Sequence, residues 1–148
     1  MGLNRECGDC TMCCQGHIYT EVNGEQIHPG NPCKHLSTHC TIYEQRPENP
    51  CRQFLCQWLI NEDFPLWMKP NQSNVLCWLS KDPSGKIYMD VSECGQPMKS
   101  NILAWLYNYH QKHSMPMRIQ IHNHFYLYGI DSLRLSNYTI KPKQNHIF

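Results

Sequence analysis

The sequence has no long apolar run and almost no excess of charge. No stretch approaches the roughly 20 consecutive apolar residues that a membrane-spanning helix needs. The amino-terminal residues MGLNRECGDC also lack the hydrophobic core of a signal peptide. The formal net charge of the 148 residues is only +1, which does not favour binding to nucleic-acid phosphates. We therefore expect a cytoplasmic protein whose partners include neither a membrane nor a nucleic acid.

The sequence also lacks a glycine-rich strand-turn-helix of the kind that would hold S-adenosylmethionine. Internal repeats and low-complexity segments are absent as well. With 41% hydrophobic residues, the composition is that of an ordinary globular protein. A chain of this length suits one domain or two very small ones.

Cysteine is what the sequence has in excess. The chain contains ten cysteines, and eight of them lie within the first 56 residues. Cytoplasmic thiols are kept reduced, so a bound metal explains the cluster better than disulfides do; a disulfide scaffold in an exported protein is the alternative. The candidate metal ligands are Cys7, Cys10, Cys13, Cys14, Cys33, Cys40, Cys51 and Cys56.

The octet CGDCTMCC contains two successive Cys-x2-Cys steps, from Cys7 to Cys10 and from Cys10 to Cys13. This spacing lets sulfurs converge on one ion, and it is similar to the opening of a bacterial ferredoxin binding run. Cys14 is adjacent to Cys13, and neighbouring side chains tend to point in different directions. We therefore expect Cys14 to bind elsewhere.

A second pair of cysteines raises the same difficulty. If Cys51 and Cys56 lie on one regular helix, their side chains are roughly 140° apart and do not share an ion easily. Two tetrahedral zinc sites would use all eight thiols, whereas one iron-sulfur cluster would leave four for zinc or for packing. The sequence thus predicts zinc or an iron-sulfur cluster and leaves open one centre or two.

Residues 1–63 are predicted to form a small, irregular Cys-rich metal-binding module. Its first part shows little periodicity and has turn signals at VNGEQ and HPGNPC. A helix is predicted from Pro47, because apolar residues and cysteines then recur at helical spacing until NEDFP ends the pattern. Apart from metal bonds, little is expected to hold the first part in one shape.

Residues 64–131 are predicted to form a β-β-α-β-β unit. NVLCWLS and KIYMDV read as one hairpin, MKSNILAWLYNYHQKH as a helix, and MRIQI and FYLYGI as a second hairpin. The HNH triplet at 122–124 is expected to be the turn of that hairpin, with Asn123 at positive φ, and not a nuclease motif. Residues 132–148 are expected to be a polar tail. The predicted fold class is α+β.

The cysteine-containing segments resemble a known family. CGDCTMCC, followed by PCKHL, HCTIYEQRP and CRQF, is similar to the CxxCxxCC family, described as a zinc- or iron-chelating domain of bacterial proteins. The resemblance covers about residues 7–59, although this chain has one residue more than is usual between Arg46-Pro47 and Cys51. It implies a metal chelated by the cysteine cluster. A similar cluster occurs in flagellin lysine N-methylases.

Other polar residues near the cysteines have two interpretations each. His35 and His39 lie close to Cys33 and Cys40 in sequence and are either ligands or solvated loop residues. The Arg46 guanidinium either offsets the charge of the thiolates or bonds to loop carbonyls. Outside the cluster, Cys77 is expected to be a small buried hydrophobe, and Cys94 is expected to be either the same or a surface thiol.

Three functions fit the sequence. The first is a metal-binding protein whose thiolate site is mainly structural and whose β-β-α-β-β unit presents a surface to a protein partner. The second is an iron-sulfur protein of redox or electron transfer. The third is an enzyme, or an accessory of one, in protein modification such as lysine methylation. The sequence identifies no catalytic residue.

Overall fold

The amino-terminal part of the chain consists of turns and very short elements. The structure, a computed structural model, describes residues 4–122 and 124–129. A helical turn, Cys13–His17, precedes a hairpin of strands β1 (Thr20–Val22) and β2 (Glu25–Ile27). Asn23 and Gly24 between the strands both have positive φ, 50° and 87°, as a two-residue Asn-Gly turn requires.

The single helix predicted from Pro47 is wrong. The chain instead makes a helical turn, Glu48–Arg52, and then, after a break, helix α1 (Gln57–Ile60). Asn49 is extended, with φ −114° and ψ 120°, because the ring of the following proline disfavours the helical conformation. Cys56, just before α1, is also extended, with φ −69° and ψ 151°. The two cysteines of this segment therefore do not lie on one regular helix.

The carboxy-terminal part has the predicted β-β-α-β-β order, so the fold class is α+β. A short turn, Leu66–Met68, and helix α2 (Pro70–Ser73) lead into it. Its elements are β3 (Val75–Lys81), β4 (Ile87–Glu93), α3 (Ser100–His113), β5 (Met117–Ile121) and β6 (His124–Tyr128).

The four strands β3 to β6 form one sheet in sequence order. β3 and β4 pair antiparallel, as do β5 and β6, whereas β4 and β5 are parallel, with Met89 opposite Met117. Helix α3 provides the long crossover that a parallel pair needs. In the β5–β6 turn His122 has φ 57°; Asn123, for which a positive φ was predicted, lies outside the described residues.

Strand β3 is buried on both of its faces. Because side chains alternate along a strand, Val75 and Cys77 point to one face and Leu76 and Trp78 to the other, and all four are buried. The face of Val75 and Cys77 belongs to the main apolar core between sheet and helix. The other buried members of that core are Trp58, Phe64, Met68, Met89, Val91, Ile102, Leu106, Tyr109, Met117 and Ile119.

The other face of β3 contacts the amino-terminal part of the chain. Leu76 and Trp78 form a second apolar cluster with Met12, Ile18 and Cys94. At one end of this contact, the Arg5 guanidinium donates hydrogen bonds to the carbonyls of residues 58 and 64, at 2.6 and 2.8 Å. The chain from residue 5 to residue 18 is thus held by apolar packing against the sheet and by hydrogen bonds to helix α1 and the chain that follows it.

A buried ion pair lies further along the sheet. Asp90 on β4 is directly opposite Trp78 and is 4% exposed. Its carboxylate accepts hydrogen bonds from Arg118 Nε and from Ser80 Oγ, both at 2.6 Å. Burial raises the pKa of Asp90, although the Arg118 charge and both hydrogen bonds act in the opposite direction.

Two expectations concern the outline of the chain. The polar tail predicted at 132–148 lies outside the described residues, and the boundary predicted after residue 63 stays a prediction. Within residues 4–122 and 124–129, no helix is both long enough and apolar enough to span a membrane.

Candidate metal centre

All eight cysteines of the first 56 residues line one cavity of about 550 Å³. They come from five places in the chain: the octet at 7–14, Cys33, Cys40, Cys51 and Cys56. The other two cysteines do not line it, because Cys77 and Cys94 are each 3% exposed and packed in apolar clusters. The cavity thus contains the eight cysteines that are clustered in the sequence and not the two that lie apart.

The thiols in and around the cavity are not cross-linked. All ten cysteines are free, and none forms a disulfide. Within the described residues, no three His, Cys, Asp or Glu side chains already converge closely enough to hold a metal ion. The sulfurs therefore line a shared space without meeting at one point, and binding of an ion would have to draw them together.

The walls of the cavity are largely apolar. Leu76 of strand β3 lines it, as do Ile18 and Phe54, and Val22 and Ile27 contribute the inner side of the β1–β2 hairpin. A thiol in such surroundings is poorly solvated in its charged form. The cavity is therefore suited to thiolates whose charge is neutralised by a cation.

A first group of thiols is next to strand β3. Cys10, Cys13 and Cys56 pack against the apolar cluster that contains Met12 and Trp78. Burial raises the pKa of Cys13 far above its ordinary value, and thiolate charge at Cys56 and Cys10 raises it further. Burial likewise raises the pKa of Cys56 to about 11, with smaller contributions from thiolate charge at Cys7 and Cys10.

Cys7 belongs with this first group. The backbone N–H of Cys10 donates a hydrogen bond of 2.8 Å to the carbonyl of Cys7, which closes a tight turn. Charge at Cys7 acts on both Cys10 and Cys56, and raises the pKa of each after the larger effect of burial. The first group therefore consists of the three cysteines spaced by two residues and the distant Cys56.

A second group of thiols is next to the β1–β2 hairpin. Cys33 is buried with Val22 and Ile27, and Cys14 and Cys51 pack against the same cluster. The N–H of Cys33 donates a 2.8 Å hydrogen bond to the carbonyl of Cys14.

Cys40 completes the second group. Burial raises the pKa of Cys14 to about 12, and the charges of Cys40, Cys33 and Cys51 follow as causes in that order. Burial also raises the pKa of Cys51, with charges at Cys33 and Cys40 adding to it. Cys13 and Cys14, adjacent in sequence, thus pack against different apolar clusters.

Each group has a cation beside it. Lys69 Nζ forms an ion pair of 2.7 Å with Asp9 in the octet, and its charge lowers the pKa of Cys10 against the larger effect of burial. Arg46 lines the cavity, and its charge acts in the same direction on Cys51. These cations partly offset the negative charge that thiolates would place in the cavity.

Both interpretations of Arg46 have support in the structure. Its guanidinium donates a 2.8 Å hydrogen bond to the carbonyl of Tyr43 and stacks over that ring, 3.8 Å from its centroid. The same residue lines the cavity beside Cys51. Of the two histidines, exposed His39 lines the cavity, whereas His35 does not and its Nε2 is 3.4 Å from Asn23 Nδ2.

Sequence reasoning missed two residues that shape the site. Lys69 has no signal in the sequence, because its ion-pair partner Asp9 is 60 residues away and no local pattern links them. Gly16 was also missed: its φ is 95°, and a Cβ there would overlap the carbonyl of His28. Close backbone approach at Gly16 holds the turn Cys13–His17 against the chain that follows β2. The Asn23-Gly24 turn, by contrast, lies in the VNGEQ turn signal that the sequence shows.

The chain was compared with protein-family models, with curated proteins and with solved structures, and none of these comparisons returned a match. The resemblance to the CxxCxxCC family stays a prediction from the quoted segments. Functional arguments for this protein consequently depend on its own residues.

Proposed function

We propose that this protein binds metal through cysteine thiolates of its amino-terminal part, as zinc or as an iron-sulfur cluster, and that the metal fixes the structure of that part. One observation carries the proposal: the eight clustered cysteines line a single cavity, while the other two are buried outside it. The residues that would hold the metal are Cys7, Cys10, Cys13, Cys14, Cys33, Cys40, Cys51 and Cys56.

The donor set fits such a metal. Zinc and iron-sulfur clusters both take soft thiolate ligands, and a set of free thiols in an apolar cavity provides them. Burial, and to a smaller extent mutual repulsion, raises the pKa of five of these thiols. A bound cation reverses that effect, because it stabilises the deprotonated sulfur. Ten free thiols also suit a reducing compartment, which supports the expected cytoplasmic location.

A structural role follows from what else holds this part of the chain. The hairpin strands β1 and β2 have three residues each, and the segments around Cys33 and Cys40 contain only isolated bridges and turns. Small modules with so little secondary structure commonly gain their folding free energy from metal binding. Metal bonds between distant cysteines would supply the missing connections.

Electron transfer by an iron-sulfur cluster is a second candidate function. The first thiol group favours it, because three cysteines at two-residue intervals and a distant fourth are the ligand type of many such clusters. Its apolar neighbours Met12 and Trp78 would limit access of water, one of the factors that set a cluster's reduction potential.

The experiment is purification of the full chain without oxygen, followed by analysis of zinc, iron and sulfide per chain and a visible spectrum. Bound zinc in a colourless protein would support a structural site and contradict the redox candidate. Iron and sulfide in equal amounts, with absorption near about 400 nm, would support the cluster. A Cys77→Ala variant is the matched control, since this buried cysteine does not line the cavity and lies on the face of β3 that packs in the main core, so the metal content should be unchanged. Absence of metal from the wild-type chain, before and after reconstitution, would contradict the proposal.

A further inference from the structure

The octet divides at one peptide bond. Cys13 contacts the apolar cluster on strand β3, whereas Cys14 contacts the cluster on the β1–β2 hairpin. Their Cα atoms are only about 3.8 Å apart, as in any trans peptide. The side chains nevertheless pack against different parts of the molecule, so the octet faces two sites at once.

The distant cysteines divide in the same way. Cys56 shares its apolar contacts with Cys10 and Cys13, and the Cys10 N–H binds the Cys7 carbonyl. Cys33 and Cys51 share theirs with Cys14, and the Cys33 N–H binds the Cys14 carbonyl.

Backbone contacts place Cys40 with the second group. Cys40 pairs with Leu36 in an isolated β-bridge, and the Leu36 N–H donates a 3.0 Å hydrogen bond to the carbonyl of Cys33. Packing and backbone contacts therefore give the same division.

We propose that the protein has two metal centres, one held by Cys7, Cys10, Cys13 and Cys56, and the other by Cys14, Cys33, Cys40 and Cys51. The proposal rests on the proposed function and deepens it, since it assigns every ligand to a centre. Four thiolates per centre match a closed tetrahedral zinc site or one cubane cluster.

The two centres would connect different parts of the fold. The first would tie the octet to the chain before α1, beside Leu76 and Trp78 of strand β3. The second would tie the end of the octet to the loop of Cys33 and Cys40, under the β1–β2 hairpin. Loss of one metal should therefore loosen one of these regions and leave the other in place.

Two matched substitutions test the division, Cys7→Ser for the first centre and Cys40→Ser for the second. Both residues are half-buried and belong to neither apolar cluster, so the substitutions remove a ligand with little loss of packing. The full chain, purified without oxygen and stripped of metal, is titrated with Co²⁺ in competition with a chelator. The metal content of the chain as purified is measured in parallel, and Cys77→Ala serves as the control.

The wild-type chain and the control should take two Co²⁺ ions. Each substitution should weaken the binding of one Co²⁺ ion and leave the affinity for the other unchanged. The weakening should exceed the roughly 10- to 100-fold that is typical when a metal ligand loses its hydrogen-bond partner. Hydrogen exchange should increase near residues 7–13 and 56 for Cys7→Ser, and near 20–40 for Cys40→Ser. Uptake of a single ion by the wild type, or equal weakening of both ions by either substitution, would overturn the two-centre proposal while metal binding stands. Uptake of no ion at all, together with no metal in the chain as purified, would overturn both proposals.

Discussion

The first region, residues 4–56, and the second region, from helix α1 to strand β6, are held together by different means. In the second region, strands of five to seven residues and a fourteen-residue helix enclose a continuous apolar core. In the first, the strands have three residues each, and eight thiols face a shared cavity. The comparison teaches that one chain can combine a region stabilised by burial with a region whose connections are left to ligand bonds.

Removal of metal should have the largest effect and should separate the two regions. With a strong chelator under anaerobic conditions, amide exchange in residues 20–52 should approach that of an unfolded chain, because the three-residue strands and the turns cannot hold this segment alone. Residues 75–128 should keep most of their protection, since their core is apolar. Exchange measured by mass spectrometry on the full chain reports both regions together. Equal loss of protection in both regions would contradict a first region that depends on metal and a second that is stabilised by burial.

Substitution of Arg118 should act on the second region. Arg118→Met leaves the buried Asp90 carboxylate without its ion pair, and breaking such a pair costs about 3–5 kcal/mol of unfolding free energy. The cost should fall with falling pH: without Arg118 the folded-state pKa of Asp90 rises further above 3.8, so the folded chain binds the proton more readily than the unfolded chain.

Urea unfolding followed by circular dichroism at several pH values measures this effect. The double variant Asp90→Asn, Arg118→Met removes both charges and should recover part of the loss. Metal content should be the same in all of these chains. A loss of metal in Arg118→Met at a pH where the chain is still folded would show that metal binding in the first region depends on the buried ion pair of the second.

Substitution of Gly16 should have the most local effect, confined to the first region. Gly16→Ala places a Cβ against the carbonyl of His28, and its φ of 95° is unfavourable for alanine by at least about 1 kcal/mol. Gly30→Ala is the matched control, because Gly30 has φ 97° and open space around its Cβ position. Both variants carry the backbone cost, and only Gly16→Ala carries the overlap.

Chelator competition then compares metal affinity in the two glycine variants. Weaker binding in Gly16→Ala than in Gly30→Ala is the expected result, because the turn that carries Cys13 and Cys14 would be displaced from the chain after β2. Equal affinities would mean that the close approach at Gly16 does not position the thiols.

The second region was predictable because its signals are local. The apolar segments VLCWL and IYM on either side of the KDPSG turn signal, and the helical spacing of Ile102, Leu106 and Tyr109, each identify one element without knowledge of the rest. The parallel pairing of β4 with β5 was not predicted, because the pattern of a strand does not name its neighbour. The unit was therefore predicted as a set of elements, and its sheet order was not.

The first region was less predictable because its contacts are between distant residues. The helix from Pro47 was wrong, since spacing alone ignored the effect of Pro50 on Asn49. Separation of Cys13 from Cys14 was expected from adjacency, but which of Cys33, Cys40, Cys51 and Cys56 joins each group depends on how loops close. No local period encodes loop closure, so the ligand grouping needed the three-dimensional structure.

Strand β3 gives this molecule a simple rule of mutational tolerance. Its odd-numbered positions Val75 and Cys77 belong to the core with helix α3, and its even-numbered positions Leu76 and Trp78 belong to the side facing the thiols. A substitution moved by one residue along the strand therefore affects the other apolar cluster. To alter the surroundings of the cysteines, one would substitute Leu76 or Trp78. To alter the core under helix α3, one would substitute Val75 or Cys77.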